Sequence, residues 1–123
     1  MEKKILVVDD DQIVCEFLER FLTKRGFSAS VANSGEEALE KIKNDAPAIV
    51  LLDIKMPGMD GLTTLKKIRA INKRLGVIII TGVGEEEIAK EAMNSGAYDY
   101  ITKPLDLDYL DTCLITKILL LST

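Results

Sequence analysis

Three short apolar runs, each ending abruptly in polar side chains, constrain this chain more than any other feature. Ile5-Leu6-Val7-Val8 stops at Asp9-Asp10-Asp11, Ile49-Val50-Leu51-Leu52 at Asp53, and Val77-Ile78-Ile79-Ile80 at Thr81-Gly82. A continuous apolar run of this length, bounded by turn residues, reads as a strand buried on both faces of a parallel sheet. Two further strands are expected, Ser28 to Ala32 and Tyr98 to Thr102, the latter ending in Lys103-Pro104. Four strand ends thus present acid, acid, hydroxyl and amine. In an open α/β sheet, ligands bind outside the carboxyl ends of the strands.

Helical patterns fill the gaps between the strands. Ile13, Val14, Phe17, Leu18, Phe21 and Leu22 recur at helical spacing, and Gly26 stops that helix. Ser34-Gly35-Glu36-Glu37 opens a second helix, running to about Asn44, as a capping box. Asp60 can cap a third, carrying Leu62, Leu65, Ile68 and Ile71. A fourth spans Glu85 to Ser95, with Ile88, Ala89, Ala92 and Met93 on one face, and Asp106 can cap a fifth. Strict alternation of strand and helix predicts five βα units in one domain covering residues 1–123. The right-handed crossover rule puts helices on both faces of the sheet.

Composition narrows the chemistry. The chain has 123 residues, 47% hydrophobic and 29% charged, in the range of a globular domain. A net charge of −4 gives no basic footprint for nucleic acid. Met1-Glu2-Lys3-Lys4 leads into a strand too short for a secretory signal, and no run approaches the ~20 apolar residues of a membrane span. Cys15 and Cys113 form no CxxC pair and read as inert thiols of a reducing, cytoplasmic compartment. There is no histidine, which removes His-based acid–base catalysis and His metal sites. Any metal must be held by oxygen, which favours a hard cation such as Mg²⁺ (or Mn²⁺).

Asp9, Asp10 and Asp53 converge at one rim and repel one another unless a cation intervenes. Lys103 and a divalent ion are the available neutralisers. Acids, a lysine and a hydroxyl suit phosphoryl transfer, with cations on the phosphoryl oxygens and Thr81 donating a hydrogen bond. A carboxylate can itself be the nucleophile, giving an aspartyl phosphate. Taken singly, the acids are helix caps or solvated loop residues, Thr81 a turn residue and Tyr100 a half-buried strand aromatic. Only the constellation argues otherwise. Met56 and Met59 read as packing, Lys55 as solvent-facing, and Glu85-Glu86-Glu87 as an acidic first turn suited to the helix dipole.

Val7-Val8-Asp9-Asp10, the stretch from Leu51-Leu52-Asp53 through Met56-Pro57-Gly58 to Asp60-Gly61, Thr81-Gly82, and Gly96-Ala97-Tyr98-Asp99-Tyr100-Ile101-Thr102-Lys103-Pro104 occur in order at the strand ends. In these four motifs, and over essentially its whole length, the chain resembles the receiver domain of two-component response regulators. The resemblance implies a flavodoxin-like fold with strand order 2-1-3-4-5. It implies Asp53 as phosphoacceptor and Asp9 and Asp10 as an acidic pair holding Mg²⁺ together with Asp53 and the backbone carbonyl of Lys55. Lys103 would bind the phosphoryl group, and its bond to Pro104 would be cis. Thr81 would be the switch hydroxyl and Tyr100 the switch aromatic.

The implied function is a phosphorylation-activated signalling module. It would take its phosphoryl group from a sensor histidine kinase or phosphotransfer protein in a phosphorelay, and catalyse only its own phosphotransfer and dephosphorylation. Its response would reshape the face of the fourth helix, fifth strand and fifth helix. Two other readings compete. A phosphatase of the haloacid dehalogenase type also uses an aspartate and Mg²⁺, but usually has a second aspartate where Lys55 stands here. A pseudo-receiver would only bind partners. Neither the kinase nor the output is legible, and the chain reads equally as a stand-alone regulator or a receiver preceding an output domain. The last helix is unusually apolar: Leu107, Leu110, Leu114 and Leu121 can serve the core, leaving Ile115, Leu119 and Leu120 for a homodimer or a following domain.

Overall fold

A computed structural model describes residues 3–56 and 58–121. Met1, Glu2 and Pro57, which entered the sequence motifs above, lie outside the described residues. The elements alternate without exception: β1 (Lys4–Val8), α1 (Gln12–Lys24), β2 (Ser28–Ala32), α2 (Gly35–Asn44), β3 (Ile49–Asp53), α3 (Gly61–Ile71), β4 (Gly76–Thr81), α4 (Glu86–Asn94), β5 (Asp99–Thr102) and α5 (Leu107–Leu121). The five strands form one parallel sheet in the order β2-β1-β3-β4-β5. The expected flavodoxin-like arrangement is therefore the one observed.

The apolar runs do what continuous runs in a parallel sheet must. Every residue of β3 and β4 is buried. Successive side chains point to opposite faces. Leu6, Val8, Val50, Leu52, Val77 and Ile79 enter a layer with Ala38 and Ile42 of α2, Leu65 and Ile68 of α3 and Ala92 of α4. Ile5, Val7, Ile49, Leu51, Ile78 and Ile80 enter the other, with Cys15, Leu18 and Leu22 of α1 and Leu110, Cys113 and Leu114 of α5. Both cysteines are free and buried, and burial pushes each thiol up to about 11.

Caps fall where the sequence puts them. Asp11 caps α1 through Ile13 N at 2.9 Å, Ser34 caps α2 through Glu37 N at 3.1 Å, and Asp60 caps α3 through Thr63 N at 2.8 Å. Asp106 accepts from Tyr109 N at 3.0 Å at the start of α5. Gly26 and Gly96 close α1 and α4 at φ of +90° and +106°, where a side chain would be strained.

Some faces differ from expectation. In α1, Ile13 and Phe17 are exposed and Cys15 takes the inward place. The six apolar positions form two adjacent stripes about 100° apart, and the stripe through Leu18 and Leu22 is the one that turns inward. Ile71 and Met93, at the last turns of α3 and α4, are also partly exposed. β5 begins at Asp99, one residue later than expected, and α4 begins at Glu86, one residue later than expected.

Candidate functional site

The polar residues that end β1, β3, β4 and β5 gather at the carboxyl edge of the sheet. Asp9 follows β1 and is held by its backbone. Its N–H donates to Ala32 O at 3.1 Å, and its carbonyl accepts from Asn33 Nδ2 at 3.0 Å and Cys15 Sγ at 3.2 Å. Its carboxylate is 1% exposed; Oδ1 accepts from Asp11 N at 2.9 Å, while Oδ2 is buried with no hydrogen-bond partner. Asp10, next along the chain, is exposed. Asp53 closes β3 and is 6% exposed, its Oδ1 accepting from Lys55 N at 3.3 Å.

Asp9, Asp10 and Asp53 each bring a carboxylate oxygen within 4.8 Å of the others. Among the described residues, the ammonium that pairs with this cluster is that of Lys103, whose Nζ stands 4.0 Å from Asp53 Oδ1. Burial, then the charge of Asp9, raises the Asp53 carboxyl to about 6, against the opposing pull of Lys103. Burial also raises Asp9. An orphaned buried carboxylate oxygen inside a cluster of three acids is what a hard cation's ligand set looks like with nitrogen and sulfur donors absent. The site fits a divalent ion held by oxygen.

Thr81 ends β4 and is 2% exposed, and its carbonyl accepts from Lys103 N at 2.7 Å. The bond from Lys103 to Pro104 is cis, as the resemblance implied. Thr81 pairs with Thr102 and Ile79 with Tyr100. Since Ile79 faces the α2–α3–α4 layer, alternation sends Thr81 and Tyr100 to that same face. Tyr100 is exposed there.

Near the rim, Glu85 was expected in the acidic first turn of α4 but stands one residue before that helix and caps nothing, and Asn33 went unread. Glu85 folds back so that one carboxylate oxygen accepts from Gly82 N, and the other stands 3.5 Å from Lys55 Nζ. The Lys55 ammonium, expected to face only solvent, thus has a partner although it remains largely exposed. A Gly-x-Gly-Glu turn, Gly82 to Glu85, was the available signal. Asn33, which ties Asp9 to the end of β2, left none.

A doubly wound sheet with an acidic trio and a lysine at its carboxyl edge defines a class of phosphoryl-handling regulatory domain. The chain belongs to the response regulator receiver domain family, whose model matches residues 5–115. It is a receiver domain of the two-component type, and phosphorylation-activated signalling is the general function of that family. It is 44% identical over 110 residues to the transcriptional regulatory protein ZraR of Escherichia coli K12, covering 89% of this chain and 25% of that protein. It is 38% identical over 108 residues to the sporulation initiation phosphotransferase F of Bacillus subtilis, covering 88% of this chain and 87% of the relative. A crystal structure of a receiver domain protein from Clostridium thermocellum superposes with a TM-score of 0.90 at 31% identity, covering 94% of each chain. The chain spans about a quarter of the length of several curated relatives it matches. Among the described residues no helix is long and apolar enough to cross a membrane.

Proposed function

We propose that residues 1–123 act as one receiver unit that accepts a phosphoryl group on Asp53 from a phosphohistidine of a sensor kinase or phosphotransfer protein. The observation that carries this reading is the convergence of three carboxylates within 4.8 Å with the Lys103 ammonium 4.0 Å from Asp53. Asp53 is the nucleophile: its carboxylate oxygen attacks phosphorus, the bond to the donor imidazole nitrogen breaks, and the imidazole leaves with a solvent proton. Asp9, Asp10, Asp53 and the backbone carbonyl of Lys55 would hold Mg²⁺ or Mn²⁺. When bound, that ion neutralises charge on the transferring phosphoryl group. Lys103 supplies a second, compact positive charge from β5. Water later attacks the acyl phosphate and returns inorganic phosphate, so the chain acts only on its own phosphoryl group.

Phosphorylation adds up to two negative charges at the sheet edge. Thr81 would then donate its hydroxyl to a phosphoryl oxygen, and Tyr100, sharing its face, would move inward, shifting the population toward a second arrangement of α4, β5 and α5. The partners of this reading are a cytoplasmic kinase or phosphotransfer protein, an output domain in the same protein, and a second copy of the chain meeting it through α4, β5 and α5. Ile115 and Leu119, 49% and 63% exposed on the outer crest of α5, support the last of these.

Incubation with acetyl phosphate and Mg²⁺ tests the core of the proposal. One acid-stable, base-labile acyl phosphate per chain is expected, lost in Asp53→Asn. Full labelling of that variant would remove Asp53 from the mechanism.

A further inference from the structure

Glu85 occupies the position before α4 where a side chain ordinarily accepts an amide of the first helical turn, yet it makes no such bond. Its carboxylate, 11% exposed, turns back to the Gly82 N–H and the Lys55 ammonium instead. Gly82 is the first residue beyond Thr81 and β4. Lys55 is two residues past Asp53, and its own N–H donates to Asp53 Oδ1. One carboxylate therefore ties the loop after β4 to the loop after β3, the loops that follow Thr81 and Asp53. The oxygen facing Lys55 is buried and has no hydrogen bond, so the contact is an ion pair alone.

We propose that Glu85 is a positioning residue, an internal anion that holds the Gly82 amide and the Lys55 ammonium until a phosphoryl group on Asp53 displaces it. This rests on the reading of Asp53 as phosphoacceptor. A dianionic group on Asp53 repels the Glu85 carboxylate and competes for the same donors. Its release frees the loop that carries Thr81 into α4. A plain loop-bracing ion pair would not respond to the phosphoryl group. Glu85 thereby opposes phosphorylation through geometry as well as charge.

The test separates these contributions by two substitutions and uses beryllofluoride with Mg²⁺ as the phosphoryl probe. Glu85→Asp keeps the charge and loses the reach to Gly82; Glu85→Gln keeps the reach and loses the charge. In the metal-free chain the Gly82 amide should be protected from hydrogen exchange in the parent and exposed in Glu85→Asp. Glu85→Asp should bind the probe about tenfold more tightly than the parent, the effect of losing one hydrogen bond to a charged group. A Gly82 amide that exchanges freely in the parent overturns the proposal. So does a Glu85→Asp affinity equal to the parent's while Glu85→Gln alone tightens, because charge would then account for everything. A parent chain that itself fails to bind the probe overturns the Asp53 reading and this proposal with it, whereas binding by the parent with unchanged variants overturns this proposal alone.

Discussion

At the residue scale, burial and mutual repulsion within the carboxylate trio weaken the metal-free fold. The folded-state value of Asp53, about 6, lies above its ordinary 3.8, and Asp9 is raised in the same direction. Between these values the folded chain binds more protons than the unfolded one, so stability falls as pH rises through the window from about 4 to about 6. The metal-free chain should therefore melt at a higher temperature at pH 5 than at pH 7.5, by an amount reflecting on the order of 2 kcal/mol. Mg²⁺ should recover most of that difference at pH 7.5, and scanning calorimetry in chelator and in Mg²⁺ reads both. Asp9→Asn should raise metal-free stability at pH 7.5, because burial disfavours the Asp9 carboxylate, while weakening Mg²⁺ binding. An Asp9→Asn chain with parental Mg²⁺ affinity would remove Asp9 from the ligand set. Lys103→Arg should fail to restore the labelling lost in Lys103→Ala, because a planar guanidinium cannot replace a compact ammonium. Acetyl phosphate labelling of the two variants side by side decides this.

Among the elements, what the sequence revealed depended on how local the signal was. The runs at β1, β3 and β4 and the caps at Ser34, Asp60 and Asp106 are contiguous in sequence, and they lie where expected. The face of α1 was less legible because two apolar stripes lie side by side and only packing against the sheet chooses between them. The back-turned Glu85 was only partly legible: a Gly-x-Gly-Glu turn signals its bond to Gly82, but its other partner, Lys55, comes from a different loop. Strand order came from resemblance, since the apolar runs themselves carry no record of which neighbours pair. Asp60→Ala should cost about 1 kcal/mol through the lost cap of α3. Gly61→Ala should cost more, because a Cβ there would meet Asp53 O at 2.6 Å and press on the backbone that carries Asp53. Urea denaturation of the two variants ranks them. In α5, Leu110 and Leu114 are buried as expected, and Ile115, Leu119 and Leu120 are exposed. Leu119 and Leu120 are successive residues about 100° apart, so the three do not form one narrow seam. A weak, phosphorylation-dependent dimer is expected by sedimentation, weakened by Leu119→Lys. A monomer at high concentration with and without the phosphoryl probe would exclude it.

On the scale of the whole molecule, β-strand alternation divides the interior into two layers that share no side chain. Thr81 and Tyr100 belong to the side of α2, α3 and α4, whereas α1 and most of the buried face of α5 belong to the other. The sheet between them is buried through β3 and β4 and is packed like a solid. On the proposed reading it would work as a bulkhead: a displacement of Thr81 would be absorbed first by the helices on its own side and leave the α1 side as it was before transfer. Hydrogen exchange should register this asymmetry: the phosphoryl probe should change protection in the amides of α4 well before those of α1. Equal changes on both sides would mean that the sheet transmits movement rather than confining it.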